Sequence, residues 1–118
     1  MGYYQPRRRH RRFRRRLLRV LVDYSAGGPT CCEYATTLGA GGLFIETEAP
    51  LDPGTSLRVR FRLPGGELLH SIDGRVTWHH RADEARAGDL RPSGMGVEFT
   101  DARAASALAH ELERITDA

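Results

Sequence analysis

From Leu57 to Leu63 the chain alternates without a break. Leu57, Val59, Phe61 and Leu63 fall on one face, and Arg58, Arg60 and Arg62 on the other. A period of two marks an extended strand with one buried side and one wet side, and a helix cannot satisfy it. Turn chemistry brackets the run: Asp52, Pro53 and Gly54 precede it, and Pro64, Gly65 and Gly66 follow. Proline and glycine supply the backbone angles that tight reversals need. A half-buried strand closed off by turns at both ends points to an antiparallel, mainly β body.

The same reading extends in both directions. Leu18, Val20, Val22 and Tyr24 alternate with more polar neighbours as a first strand, and a turn at residues 26–29 leads to a second from Cys31 to Thr37. Residues 39–42 form a tight glycine loop, and Leu43 to Thr47 read as a short buried strand. After residues 64–66 a hairpin partner runs over 67–72, and Arg75 to Trp78 continues it beyond Gly74, where a bulge is expected. Residues 81–93, rich in Ala, Arg, Gly and Asp, are expected to make a mobile loop before a last strand from Gly94 to Phe99. The period then changes. Ala105, Leu108, Leu112 and Ile115 recur at three- and four-residue steps, which predicts an amphipathic helix over 102–116 with Asp101 as its cap. Five to seven short strands with hairpin turns, followed by one helix, suggest a small antiparallel barrel or sandwich, an open end covered by the C-terminal α-helix. Trp78 is expected in the core beneath that helix, because small barrels need buried aromatic anchors.

Charge divides the chain in two. Nine arginines crowd between Arg7 and Arg19, whereas all fifteen acids lie beyond residue 22 with only nine further arginines, and no lysine occurs. The net charge of +3 therefore averages a basic arm over residues 1–16 and an acidic body over 17–118, with length for a single domain. A guanidinium is permanently charged and planar, grips phosphates in pairs and stacks on flat rings, so the arm is where a ligand is expected.

Other classes fit less well. No apolar run approaches the ~18 residues of a membrane span, and residues 17–22 are too short and too charged for a signal peptide's core, so a cytoplasmic location is expected. Cys31 and Cys32 are adjacent and unsuited to bridging each other; one packed and one surface thiol are expected. His79 and His80 lack partners at ligand spacing, so no metal is expected. None of the serines sits in a nucleophile elbow, the glycine loop lacks the lysine of a phosphate-binding loop, and His70, His79 and His80 are expected in surface or interface roles. No catalytic residue is assigned, and a non-enzyme is expected.

Four landmarks, spanning about residues 7–112, carry a resemblance. They are the arginine cluster ahead of the first strand, residues 37–45, the G-x-V-x-W pattern of Gly74, Val76 and Trp78, and the glycine-led strand from Gly94 to Phe99. In this order and spacing the chain resembles the PilZ domain, the bacterial receptor module for cyclic di-GMP. The family places an R-x-x-x-R motif before its first strand and D/N-x-S-x-x-G at the second landmark. Arg11 with Arg15 is the best register for the first motif; Arg12 with Arg16, and Arg8 with Arg12, are alternatives. At the second, Thr37 and Gly39 stand where the family has Asp or Asn and Ser, and Gly42 is retained.

The resemblance implies a mainly β fold, a small antiparallel split β-barrel of about six strands with a C-terminal α-helix, and a non-catalytic sensor of cyclic di-GMP, without other cofactor. Arg11, Arg12, Arg15 and Arg16 would meet guanine and phosphate, with Thr37, Gly39 and Gly42 at the rim. The alternative it leaves open is a degenerate PilZ adaptor that engages a protein partner and no dinucleotide. Either would be a monomer or weak homodimer in second-messenger signalling, with an unidentified protein partner, no specific nucleic acid and no membrane span.

Overall fold

The computed structural model describes residues 16–81 and 92–116. Among these residues six strands, β1 (Arg16–Ser25), β2 (Cys31–Leu38), β3 (Gly42–Glu46), β4 (Ser56–Arg62), β5 (Leu69–His80) and β6 (Gly94–Phe99), precede one helix, α1 (Ala102–Thr116). The strands close a barrel in the order β1-β2-β3-β6-β5-β4, and every neighbouring pair is antiparallel. This is the mainly β, six-stranded barrel with a C-terminal helix that the family resemblance implies, and of the barrel and sandwich that the turn spacing leaves open it is the barrel. Of the expected loop at 81–93, residues 82–91 lie outside the described residues, as do residues 1–15 of the arm.

β4 carries the alternation through: Leu57, Val59 and Phe61 are buried, and Ser56, Arg58, Arg60 and Arg62 are exposed. Its inward row meets Val20, Val22, Ala35, Leu38, Ile45, Ile72 and Met95 in one core. Two glycines set the reversals on either side, Gly54 at φ 95° and Gly65 at φ 76°, angles that a side chain would strain.

β5 departs from expectation twice. It runs unbroken through Gly74, and the irregularity lies between Val76 and Trp78, where two steps on β5 face one on β6. His70, Ile72, Gly74 and Val76 alternate inward, which projects Trp78 inward as well. The extra residue flips the phase, so Trp78 leaves the core and stands 48% exposed on the outer face. Gly74 instead makes room for β6: a Cβ there would come within 2.8 Å of the Val97 side chain and 2.9 Å of the Glu98 carbonyl.

The cysteines also depart from expectation, both being exposed. β3 pairs with β2 only as far as Tyr34, so Cys31 and Cys32 project past the covered end.

α1 begins as expected, with the Asp101 carboxylate accepting the Ala104 N–H at 3.1 Å. Leu108 and Leu112 are buried, and Ala104 and Ile115 pack partly against the same core. The helix carries a polar latch as well. The Glu111 carboxylate lies 2.6 Å from His70 Nε2, both side chains being about 95% covered (3% and 5% exposed), and it accepts the Glu67 and Leu68 N–H groups at 3.1 and 3.2 Å. His70 is thus an interior partner of the helix rather than a surface residue. Its place in the inward row of β5 explains why: the helix supplies the acceptor that a buried imidazole requires.

Burial pushes the Glu111 carboxyl up, but the hydrogen bonds from His70, Leu68 and Glu67, and the charge His70 carries when protonated, outweigh it. The net shift is below the usual carboxylate value. A carboxyl held low by folding stabilises above its unfolded value, here near 4.5, and that contribution is lost as pH falls through the lower folded value. Glu111→Gln keeps the shape without the charge. It is expected to cost about 1–2 kcal/mol at neutral pH, measured by urea unfolding, and its gap from wild type should close on acidification below the usual carboxylate range.

Candidate ligand-binding face

One line of register partners crosses five strands. Leu17 of β1 opposes Thr37 of β2, Thr37 opposes Phe44 of β3, Phe44 opposes Gly96 of β6, and Gly96 opposes Trp78 of β5. Directly opposed residues share a face of the sheet. The adjacent line of Leu38, Leu43, Val97 and Val76 is buried in the core, so Thr37, Phe44, Gly96 and Trp78 look outward. Irregularities between Leu17 and Val20 in β1, between Ala35 and Thr37 in β2 and between Val76 and Trp78 in β5 bring the line into phase.

Glycine floors this face. The Phe44 and Trp78 rings stack at 5.3 Å between centroids and 21° between planes. A Cβ on Gly96 would overlap the Trp78 indole, and one on Gly94 would overlap Phe44, so the rings lie in the space that absent side chains leave. Beside them a groove of about 530 Å³ is lined by Gly41, Gly42, Thr77, Trp78 and Glu98. The chain has a single tryptophan, and its exposed ring offers a flat apolar surface. Glu98 at the groove's edge sits 3.8 Å from Arg75, with both side chains more than half exposed, which leaves its carboxylate able to accept other donors.

Of the residues assigned from sequence, Arg11, Arg12 and Arg15 lie outside the described residues. Arg16 is the first described residue, its backbone paired opposite Leu38, so the arginine-rich segment joins the barrel next to the bend at 39–42. Thr37 lies on the outward line. The Gly39 N–H donates to the Gly42 carbonyl at 3.0 Å, and the Phe99 N–H to the Gly41 carbonyl at 2.9 Å, so the bend is held by its own backbone and by β6. The place for a Cβ on Gly42 is filled by the Val97 carbonyl rather than left open. Sequence reasoning took Phe44, Gly96 and Glu98 only as parts of family landmarks, assigned none of them to the site, and read Trp78 chiefly as core. The available signal was the alternation of Gly94 and Gly96 with Met95 and Val97, a strand bare on one side.

The face can stack planar rings and accept hydrogen bonds at Thr37 and Glu98. Among the described residues no group of His, Cys, Asp and Glu is arranged to bind a metal, and no helix is long and apolar enough to cross a membrane.

Solved structures share this fold. Inhibitor of motility (MotI/DgrA) from Bacillus subtilis matches with a TM-score of 0.67 at 17% identity, over 89% of this chain and 50% of that one, so the chain spans half of that protein's length. The PilZ domain of CeSA from a cellulose-synthesizing bacterium matches at 0.57 and 20% identity, over 84% and 97%. A Xanthomonas campestris protein, described as a tetrameric PilZ domain self-assembled through a helical bundle, matches at 0.63 and 11% identity, over 99% and 97%. No curated protein matches by sequence. The PilZ domain family model covers residues 6–118, nearly the whole chain, and with the barrel and its glycine bend this makes the chain a member of the PilZ domain family.

Proposed function

We propose that the chain is a non-catalytic receptor for cyclic di-GMP, binding it on the outer face of β2, β3, β6 and β5. The observation that supports this most is the register line, which sets Thr37, Phe44 and Trp78 side by side where the arginine-rich segment enters the barrel. Cyclic di-GMP carries two phosphates and two guanines. Arg11 and Arg15, or Arg12 and Arg16, neutralise phosphate and donate to guanine O6 and N7. Trp78 stacks a guanine, and Thr37 accepts one hydrogen bond. Glu98 supplies a carboxylate acceptor near the bend, offsetting the Asp or Asn that the second motif lacks. Residues 1–16 act as the arm and the barrel as the platform, in the cytoplasm, with binding changing the surface shown to a protein partner.

The adaptor reading has its own support, since Thr37 and Gly39 forgo two side-chain groups of the family motif. One titration separates the two. Because Trp78 is the sole tryptophan, adding cyclic di-GMP to the full chain is expected to quench its fluorescence saturably, with a midpoint below about 100 μM at low salt and weaker at high salt. An unchanged spectrum together with no heat of binding by calorimetry over that range refutes the receptor and leaves the adaptor.

A further inference from the structure

A second surface is lined by none of the residues that the proposed receptor uses. β1 and β4 pair through only three register partners, Asp23 with Arg60, Tyr24 with Val59 and Ser25 with Arg58. Before Asp23 and after Arg60 the two strands part, and a cleft of about 550 Å³ opens, lined by Arg19, Leu21, Arg60, Arg62, Leu63 and Leu69. A closed barrel has no free edges; this one keeps a stretch of β1 and β4 without a strand partner on the cleft side among the described residues.

The outer rim is apolar and cationic at once. Leu21 is 52% and Leu69 58% exposed, and they lie on the outward rows of their strands, Leu21 opposite the half-exposed Tyr34 and Leu69 opposite Arg62. Covering two leucines of this kind removes apolar surface from water and so favours any complex that buries them. The charges around them are mostly positive: Arg19, Arg60 and Arg62 against Asp23. Arg58 is held by Asp73 at 2.8 Å and Arg62 donates to the Glu67 carbonyl at 2.9 Å, whereas Arg60 has no ion pair or hydrogen bond among the described residues. Three strand arginines around bare leucines, on a body otherwise rich in acids, select a partner of opposite charge.

We infer that this cleft is a docking site for an acidic segment of a partner protein, one that alternates leucine-type side chains with Asp or Glu. An extended segment can pair with the free edge of β1 or β4 while alternate side chains cover Leu21 and Leu69 and carboxylates reach Arg60 and Arg62. The chain's own arginine-rich segment matches poorly, because it carries the sign of the rim. A nucleic acid offers no apolar side chains to cover the leucines.

The test uses the full chain without dinucleotide, so its outcome is independent of the receptor proposal. The probe is a fluorescein-labelled peptide of alternating leucine and glutamate, with a serine-for-leucine version as control. Polarisation should give saturable binding to the leucine peptide only, and amide NMR shifts should centre on Leu21, Arg60, Leu63 and Leu69. Arg60→Glu/Leu69→Ser should weaken binding at least about tenfold with an unchanged melting temperature, both side chains being exposed. Equal binding by that double variant overturns the inference, because the peptide then sits on the arginine-rich segment. So does Leu69-dependent binding of phosphatidylglycerol vesicles without peptide binding, or self-association abolished by the same variant, which would make the occupant a lipid surface or a second copy.

Discussion

Replacing Gly42 with alanine is expected to destabilise the barrel by about 2–3 kcal/mol and to lower its melting temperature by roughly 10 °C or more. The reason lies in what surrounds the missing side chain. A Cβ at Gly42 would overlap the Val97 carbonyl oxygen and stand 3.1 Å from the Val97 carbonyl carbon and 3.3 Å from the Glu98 Cα, all of it backbone. Gly42 opens β3 opposite Glu98, so relief requires β3 and β6 to separate at the start of their ladder. Gly96→Ala is the control within the same face. Its Cβ would meet the Trp78 ring, but that ring is half exposed and can swing into water. Gly96→Ala should therefore shift tryptophan emission while costing far less stability. Thermal unfolding of the two variants followed by circular dichroism checks the contrast, and a Gly42→Ala protein as stable as wild type refutes it.

That contrast also shows where sequence reasoning stops. The strict alternation at β4 needs no knowledge of neighbours, and the period change at Ala105 to Ile115 announces α1 just as directly, so the barrel and its helix were legible. What periodicity cannot carry is a change of phase. Trp78 follows Ile72, Gly74 and Val76 at even steps and reads as core; only the pairing of β5 with β6 reveals the extra residue that turns it outward. His70 failed for a different reason. Its inward position was readable from the same even steps, but its acceptor, Glu111, lies on a helix far along the chain. Gly42 was legible as a motif residue, whereas its immediate neighbour, the Val97 carbonyl, belongs to a strand that local sequence does not name. The candidate face was therefore half visible: Thr37 and the bend from motif spacing, Phe44, Gly96 and Glu98 only from register.

On the receptor reading, Arg11→Ala/Arg15→Ala is expected to weaken cyclic di-GMP binding by at least about a hundredfold. Each hydrogen bond to a charged partner is worth about 1.5–3 kcal/mol, so two lost arginine contacts remove about 3 kcal/mol or more, at tenfold per 1.4 kcal/mol. With a second motif reduced to Thr37, Gly39 and Gly42, this chain has fewer side-chain contacts to compensate than the family pattern provides. The arginines therefore carry a larger share of the affinity. Because the altered residues precede β1, the barrel's melting temperature should not move, which separates lost contacts from lost folding. The Arg12→Ala/Arg16→Ala and Arg8→Ala/Arg12→Ala proteins decide the register: the pair that clamps the dinucleotide loses the hundredfold, and the others lose only the several-fold expected from diminished charge. Calorimetric titration with all four proteins at one salt concentration provides the comparison. Equal modest losses in every double variant would mean that the segment acts as diffuse charge rather than as a clamp, and the arginine motif would then have no place in the site.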